Sequence, residues 1–279
     1  MINPLSSSIA AGSAATIKEV SLVGDWVVWL EQRPTEKGRT TALIRPWGKS
    51  ELNPMELTPY PRDLRTRVHG YGGGPISIIL NNDQIIFAWI NDLDHCLWIK
   101  SFQGLEVDSN TQQITFKNQT HEKCLSKQDD YLLANGIFDL SRGRWLGVLE
   151  KGGQDFLVAF DLDKEMQTPE ILYKAKDFLG YAVLSPDSRH LAWVEWQQPF
   201  MPWDVSQLCY GTFDLSGQLP TQKVIAGSAL DDVTKTSVFQ PIWMPDGKLA
   251  VSEDKNGWWN VMVTNSEIDS TSNLSWNRS

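Results

Sequence analysis

A hairpin signal recurs along this chain about once every fifty to sixty residues, and no other feature restricts the fold as strongly. Its clearest copy is Phe239-Gln240-Pro241-Ile242-Trp243-Met244-Pro245-Asp246-Gly247-Lys248-Leu249-Ala250-Val251. An apolar strand runs into Met244-Pro245-Asp246-Gly247 and a second strand starts at once. Proline fixes the φ of the first corner, the aspartate bonds its own backbone and glycine accepts a positive φ, so the three close the turn for separate reasons. Asn256-Gly257, a strong hairpin dipeptide, predicts a third strand from Trp258 to Thr264.

Upstream, Val183-Leu184-Ser185-Pro186-Asp187-Ser188-Arg189-His190-Leu191-Ala192-Trp193 places its turn aspartate 59 residues before Asp246. A weaker copy has Asn81-Asn82-Asp83-Gln84 before the strand Ile85 to Ile90 and the strand Cys96 to Phe102. The first has Gly24-Asp25 before Trp26 to Leu30, followed by Thr41 to Trp47. Asp25 and Asp83 are 58 residues apart, whereas Asp83 and Asp187 are 104 apart, which leaves room for one more unit. Phe138-Asp139-Leu140-Ser141-Arg142-Gly143-Arg144 fills it, with strands from Trp145 to Glu150 and from Phe156 to Asp161.

Five units of short strands at this period predict an all-β chain built as a β-propeller, with about five blades visible and an incomplete ring. A β-sandwich also shows frequent turn signals, but has no reason to repeat a turn aspartate at near-constant separation. The reading assigns 1–20 to a lead-in segment, 21–265 to blades and 266–279 to a disordered tail. The chain has 13 tryptophans, and eight fall in the expected strands: Trp26, Trp29, Trp89, Trp98, Trp145, Trp193, Trp258 and Trp259. Large flat rings suit the space between blades, so these are read as packing residues.

The chain has 279 residues, 41% of them hydrophobic, with no run approaching a membrane-spanning length, so no membrane partner is expected. A net charge of −9 argues against nucleic acid, whose phosphates would be repelled. Cys96, Cys124 and Cys209 are scattered and unpaired in spacing, which fits a reducing compartment and a cytoplasmic location. The N-terminal stretch lacks the basic start and apolar core of a signal peptide.

The most unusual local stretch is Arg65-Thr66-Arg67-Val68-His69-Gly70-Tyr71-Gly72-Gly73-Gly74, followed by Pro75. Consecutive glycines allow backbone conformations closed to other residues and the close approach of another segment. Arg65, Arg67 and His69 alternate as they would on one strand face. Two readings stand: a contact for an anion or a peptide carboxylate, and a glycine-rich bend with exposed arginines. Gln197-Gln198-Pro199-Phe200-Met201-Pro202-Trp203-Asp204 is an apolar, aromatic loop between strands, open to a binding role as well as to packing.

Three groups of residues together carry a family resemblance: the arginine and glycine motif, Val194-Glu195-Trp196 with Met201-Pro202-Trp203-Asp204, and Ser237-Val238-Phe239-Gln240-Pro241 leading to Asn256-Gly257-Trp258-Trp259-Asn260. Over about residues 20 to 262 the chain resembles the N-terminal propeller of the prolyl oligopeptidase family of serine peptidases, in the dipeptidyl and acylaminoacyl peptidase branch. The resemblance implies a propeller that caps an α/β-hydrolase domain carrying a Ser, Asp, His triad and that admits only small peptides. Gly70 stands where the family pattern leads one to expect a glutamate, and the chain stops at Ser279, before further blades and the hydrolase domain.

Within the chain, no Gly-x-Ser-x-Gly elbow occurs. Gly48-Lys49-Ser50 lacks the earlier glycine of a phosphate loop, and Pro75 stands where a dinucleotide fingerprint needs its last glycine. His69, His95, His121 and His190 are dispersed, and Asp94-His95-Cys96 is only a turn, so neither metal nor cofactor is expected. The chain then reads as the substrate-filtering propeller portion of a serine peptidase, a truncated product or separate segment without catalytic residues of its own. Its expected partners are a peptide substrate or a hydrolase domain. The candidate contacts are Arg65, Arg67, His69, Tyr71, Glu195, Trp196, Trp203 and Asp204. The alternative is a free-standing propeller that binds a protein or peptide without catalysis.

Overall fold

The computed structural model describes residues 14–264 and 276–278. Among the described residues there is no α-helix, and the strands form five antiparallel sheets in which neighbours in sequence are neighbours in space. The first sheet holds β1 (Thr16–Val23), β2 (Trp26–Arg33), β3 (Arg39–Pro46) and β4 (Met55–Glu56). The second holds β5 (Ile76–Asn81), β6 (Gln84–Ile90), β7 (Leu97–Val107) and β8 (Ile114–Gln119), with β9 (Lys123–Cys124) also paired to β7. The third is β10 (Leu132–Asp139), β11 (Arg144–Lys151), β12 (Gln154–Asp161) and β13 (Glu170–Lys174). The fourth is β14 (Phe178–Leu184), β15 (His190–Trp196), β16 (Gln207–Thr212) and β17 (Gln222–Gly227). The fifth is β18 (Val238–Trp243), β19 (Leu249–Glu253), β20 (Asn260–Thr264) and β21 (Trp276–Arg278). Five blades of the propeller class are therefore present.

Two compact units divide these blades. Unit 1 takes the described residues up to Arg65 with Ile78–Lys123, hence blade 1 and most of blade 2; unit 2 takes Thr66–Ser77 and the described residues from Cys124 onward. No helix among the described residues is long and apolar enough to cross a membrane.

The repeated turn takes different forms. In the two C-terminal copies, Gly247 N bonds Met244 O at 3.0 Å and Ser188 N bonds Ser185 O at 2.8 Å, with Gly247 and Ser188 both at positive φ. Each turn aspartate accepts the amide two residues on: Lys248 N to Asp246 Oδ1 at 3.2 Å and Arg189 N to Asp187 Oδ1 at 3.0 Å. The first two copies are two-residue loops, with Gly24 and Asn82 supplying the positive φ. In blade 3 Asp139 is fully buried and binds Arg144 Nε at 2.9 Å, so it braces the strand ends.

Within unit 2, neighbouring sheets bury their apolar faces against one another. Leu146, Val148 and Leu157 of blade 3 pack with Leu179, Leu191 and Trp193 of blade 4. Val194, Leu208 and Tyr210 on the other face of blade 4 meet Val238, Leu249 and Val251 of blade 5. Trp89, Trp145 and Trp193 are 0% exposed, and each large buried side chain contributes about 3 kcal/mol. Trp258 and Trp259 depart from the packing expectation, at 80% and 47% exposed. Asn256-Gly257 closes a wider loop than a two-residue hairpin: Gly257 N reaches back to Asp254 O at 2.7 Å, so β20 begins at Asn260 and the tryptophans stay in the loop.

Two boundaries shift. β1 begins at Thr16, inside the segment read as a lead-in, and β21 lies inside the segment read as a disordered tail, where Trp276 Nε1 bonds Ile225 O at 3.2 Å. The rest of both segments lies partly outside the described residues.

Candidate functional site

The glycine motif is not a strand. Val68 to Gly70 form a short 3-10 turn with His69 at φ 53°, so Arg65, Arg67 and His69 do not share one strand face. Gly70 N closes on Arg67 O at 2.8 Å with Gly70 at φ +76°, a conformation that a glutamate there would adopt only under strain. The close approach read from the glycines is real: a Cβ on Gly72 would lie 2.6 Å from Thr66 O, and one on Gly73 2.8 Å from Ala134 Cβ. Gly74 N donates to Asn135 Oδ1 at 2.7 Å and Asn135 N to Gly74 O at 2.9 Å, which fixes the segment to blade 3.

His69 is held from three sides. Its amide donates to Glu150 Oε2 at 2.9 Å, its Nε2 lies 3.0 Å from the Asp155 carboxylate, and its ring meets Phe178 edge-on at 4.7 Å. Asp155 is fully buried and also accepts Leu179 N at 2.9 Å. Burying a carboxylate is costly unless hydrogen-bond donors meet it, and these two supply them. Burial disfavours the His69 cation, but the Asp155 hydrogen bond and charge, with Glu150 adding to them, outweigh it and raise its pKa above the ordinary histidine value.

Phe178 joins this motif to the next. Its other side stacks on Trp196 at 5.7 Å and 26°. The loop beyond Trp196 is anchored along its length: Gln198 N donates to Asp177 Oδ2 at 3.1 Å, Met201 N to Asp204 Oδ2 at 3.1 Å and Asp204 N to Met201 O at 2.9 Å. Ser237 Oγ donates to Pro202 O, and Val238 N to Ser206 Oγ at 2.8 Å, so the third motif braces the second. The three stretches that carry the resemblance thus adjoin one another on one rim of unit 2, where Trp203 is 57% exposed on a firmly held loop.

The remaining candidates divide. Arg67, Tyr71 and Asp204 are exposed on unit 2. Glu195 turns inward: it accepts Trp193 Nε1 at 2.7 Å and is bonded by Tyr173 and Cys209, both pushed up by burial and then by this carboxylate. Arg65 belongs to unit 1, where its Nη2 donates to Gly38 O at 3.2 Å. Sequence reasoning missed Asp155, Glu150 and Phe178, the residues that join the motifs. Only the polar turn Lys151-Gly152-Gly153-Gln154 marks their neighbourhood. Asp94 caps its turn through Cys96 N at 3.0 Å and Trp98 Nε1 at 3.1 Å.

The rim offers a hydrogen-bonding, aromatic and charged surface. Ser206 Oγ donates to Val238 O at 2.9 Å and Ser237 Oγ to Pro202 O, so both hydroxyls help hold the loop.

No protein-family model matches the chain, and no curated protein does. Among solved structures it is similar to a puromycin hydrolase, with 24% identity and a TM-score of 0.78 over 94% of this chain and 39% of that one. A puromycin-hydrolyzing peptidase of Mycobacterium tuberculosis is similar at 26% identity and a TM-score of 0.71, over 94% of this chain and 38% of that one. Prolyl oligopeptidase B of Galerina marginata shares the fold, at 10% identity and a TM-score of 0.54 over 95% of this chain and 36% of that one. The chain spans about two fifths of the length of these puromycin-hydrolysing proteins. In fold and in coverage, it matches the propeller portion of the prolyl oligopeptidase family of peptidases.

Proposed function

We propose that this chain is the substrate-filtering propeller portion of a prolyl oligopeptidase-like serine peptidase, and that it recognises peptide while the reacting groups lie on a hydrolase domain. One observation carries the reading: three stretches far apart in sequence converge through Phe178 and Pro202 on a single rim. Evolution of a mere scaffold gives no reason for an anchored loop to hold Trp203 in solvent, whereas large rigid aromatics at low entropic cost are what binding surfaces use. Arg67 supplies positive charge for a peptide carboxylate, and Tyr71 and Trp203 supply area.

Titration of short unstructured peptides against the purified chain, followed by tryptophan fluorescence, tests this. Saturable binding is expected, weakened about tenfold or more by Trp203→Ala, the usual effect of removing an interfacial tryptophan. Binding unchanged by Trp203→Ala and Arg67→Ala, or no binding to the folded chain, contradicts the assignment.

A further inference from the structure

Unit 1 contains a cleft that the reading above does not use. It encloses about 550 Å³ between the first hairpin of blade 1 and the strands of blade 2. Trp26, Leu80, Ile85 and Phe116 form its floor, with Trp26 and Phe116 in ring contact at 5.4 Å. Five polar side chains surround it: Asp25, Asn82, Asp83, Gln103 and Asn118.

Three features of this lining act together. None of the five polar side chains hydrogen-bonds within the protein among the described residues, so their full capacity faces the cleft and solvent. All five are placed by stiff backbone: Asp25 and Asn82-Asp83 sit in two-residue turns with positive φ at Gly24 and Asn82, and Gln103 and Asn118 are paired across β7 and β8. The turns are also packed together, since a Cβ on Gly24 would lie 2.6 Å from Leu80 Cδ2. The lining contains no lysine, arginine or histidine, so nothing in it favours an anion.

The class of ligand follows from that mixture. Two carboxylates only accept hydrogen bonds, while three carboxamides both donate and accept. An aromatic and aliphatic floor wants an apolar face of similar breadth. A pyranose ring presents both: C–H bonds on one face for the indole of Trp26, and hydroxyls around its edge that donate to carboxylates and exchange bonds with carboxamides. We propose that this cleft binds a neutral saccharide, with Trp26 as the stacking platform and Asp83 and Asn118 as edge contacts. The site is separate from the unit 2 rim and stands whether or not the rim binds peptide.

Saturation-transfer NMR on the full chain with methyl glucoside, maltose, cellobiose and lactose at low-millimolar concentration tests it. Transfer to the ring C–H protons of at least one of these sugars is expected, with affinity reduced about tenfold by Asp83→Ala or Asn118→Ala. Both positions are exposed, so these variants keep the fold even if Trp26→Ala, which removes the contact to Phe116, does not. No transfer from any sugar overturns the proposal. So does transfer undiminished in both exposed variants, or binding of spermidine, a cationic probe, without any sugar.

Discussion

At Trp145 a single residue shows how closely these blades are fitted. Its indole is fully buried, donates to Ser77 Oγ at 2.9 Å and lies between two glycines. A Cβ on Gly136 or on Gly147 would come within 2.0 Å of the ring, far inside any van der Waals distance. Gly136→Ala is therefore expected to cost about 2 kcal/mol or more, the scale of overpacking in a dense core, in a chemical denaturation experiment. An unchanged midpoint would mean that the ring has room to move. His69 supplies a second test at this scale. Its pKa is raised in the folded protein, so the stability gained from Asp155 is complete below the unfolded value of about 6.5 and is lost as pH rises through the folded value. His69→Asn, which tolerates the left-handed backbone, should flatten the pH dependence above about pH 6.5. A profile of unchanged slope in the variant would remove the ion pair from the account. Trp145 was legible in the sequence as a packing ring; the glycines flanking it were not, because nothing local distinguishes a glycine under an indole from one in a bend.

At the scale of the element, the first hairpin of each blade was readable because proline, aspartate, asparagine and glycine fix turn geometry locally. The outer strands β4, β13 and β17 were not, being short or largely polar outside their buried positions and held by pairing to the strand before them. A second repeat also went unseen. The first strands of blades 3, 4 and 5 each break register at one place, between Ala134 and Ile137, Gly180 and Val183, and Phe239 and Ile242. Within each break sits a non-glycine residue at positive φ: Asn135, Tyr181 and Gln240. Such bulges re-aim side chains at functional edges, here Asn135 toward Gly74 and Tyr181 toward Phe239 at 5.1 Å. Asparagine, tyrosine and glutamine share no local signature, so only the backbone reveals the pattern. Gln240 is exposed, and the left-handed conformation costs a non-glycine residue about 1 kcal/mol. Gln240→Gly should raise stability by up to about that amount in thermal or chemical melts, and a clear loss would indicate a role for its side chain.

For the whole molecule, the sequence resemblance and the fold comparison agree on a propeller portion that spans about two fifths of longer peptidases. What the sequence could not supply is how distant motifs meet, because that depends on Phe178 and Asp155, which carry no signature of their own. Under the proposed function, recognition lies on these blades and reaction on groups outside them. The most direct test is turnover of aminoacyl and acyl-aminoacyl chromogenic substrates by the purified 279-residue chain. Release of chromophore no faster than in buffer alone is expected. Saturable turnover that follows the chain through purification would contradict it.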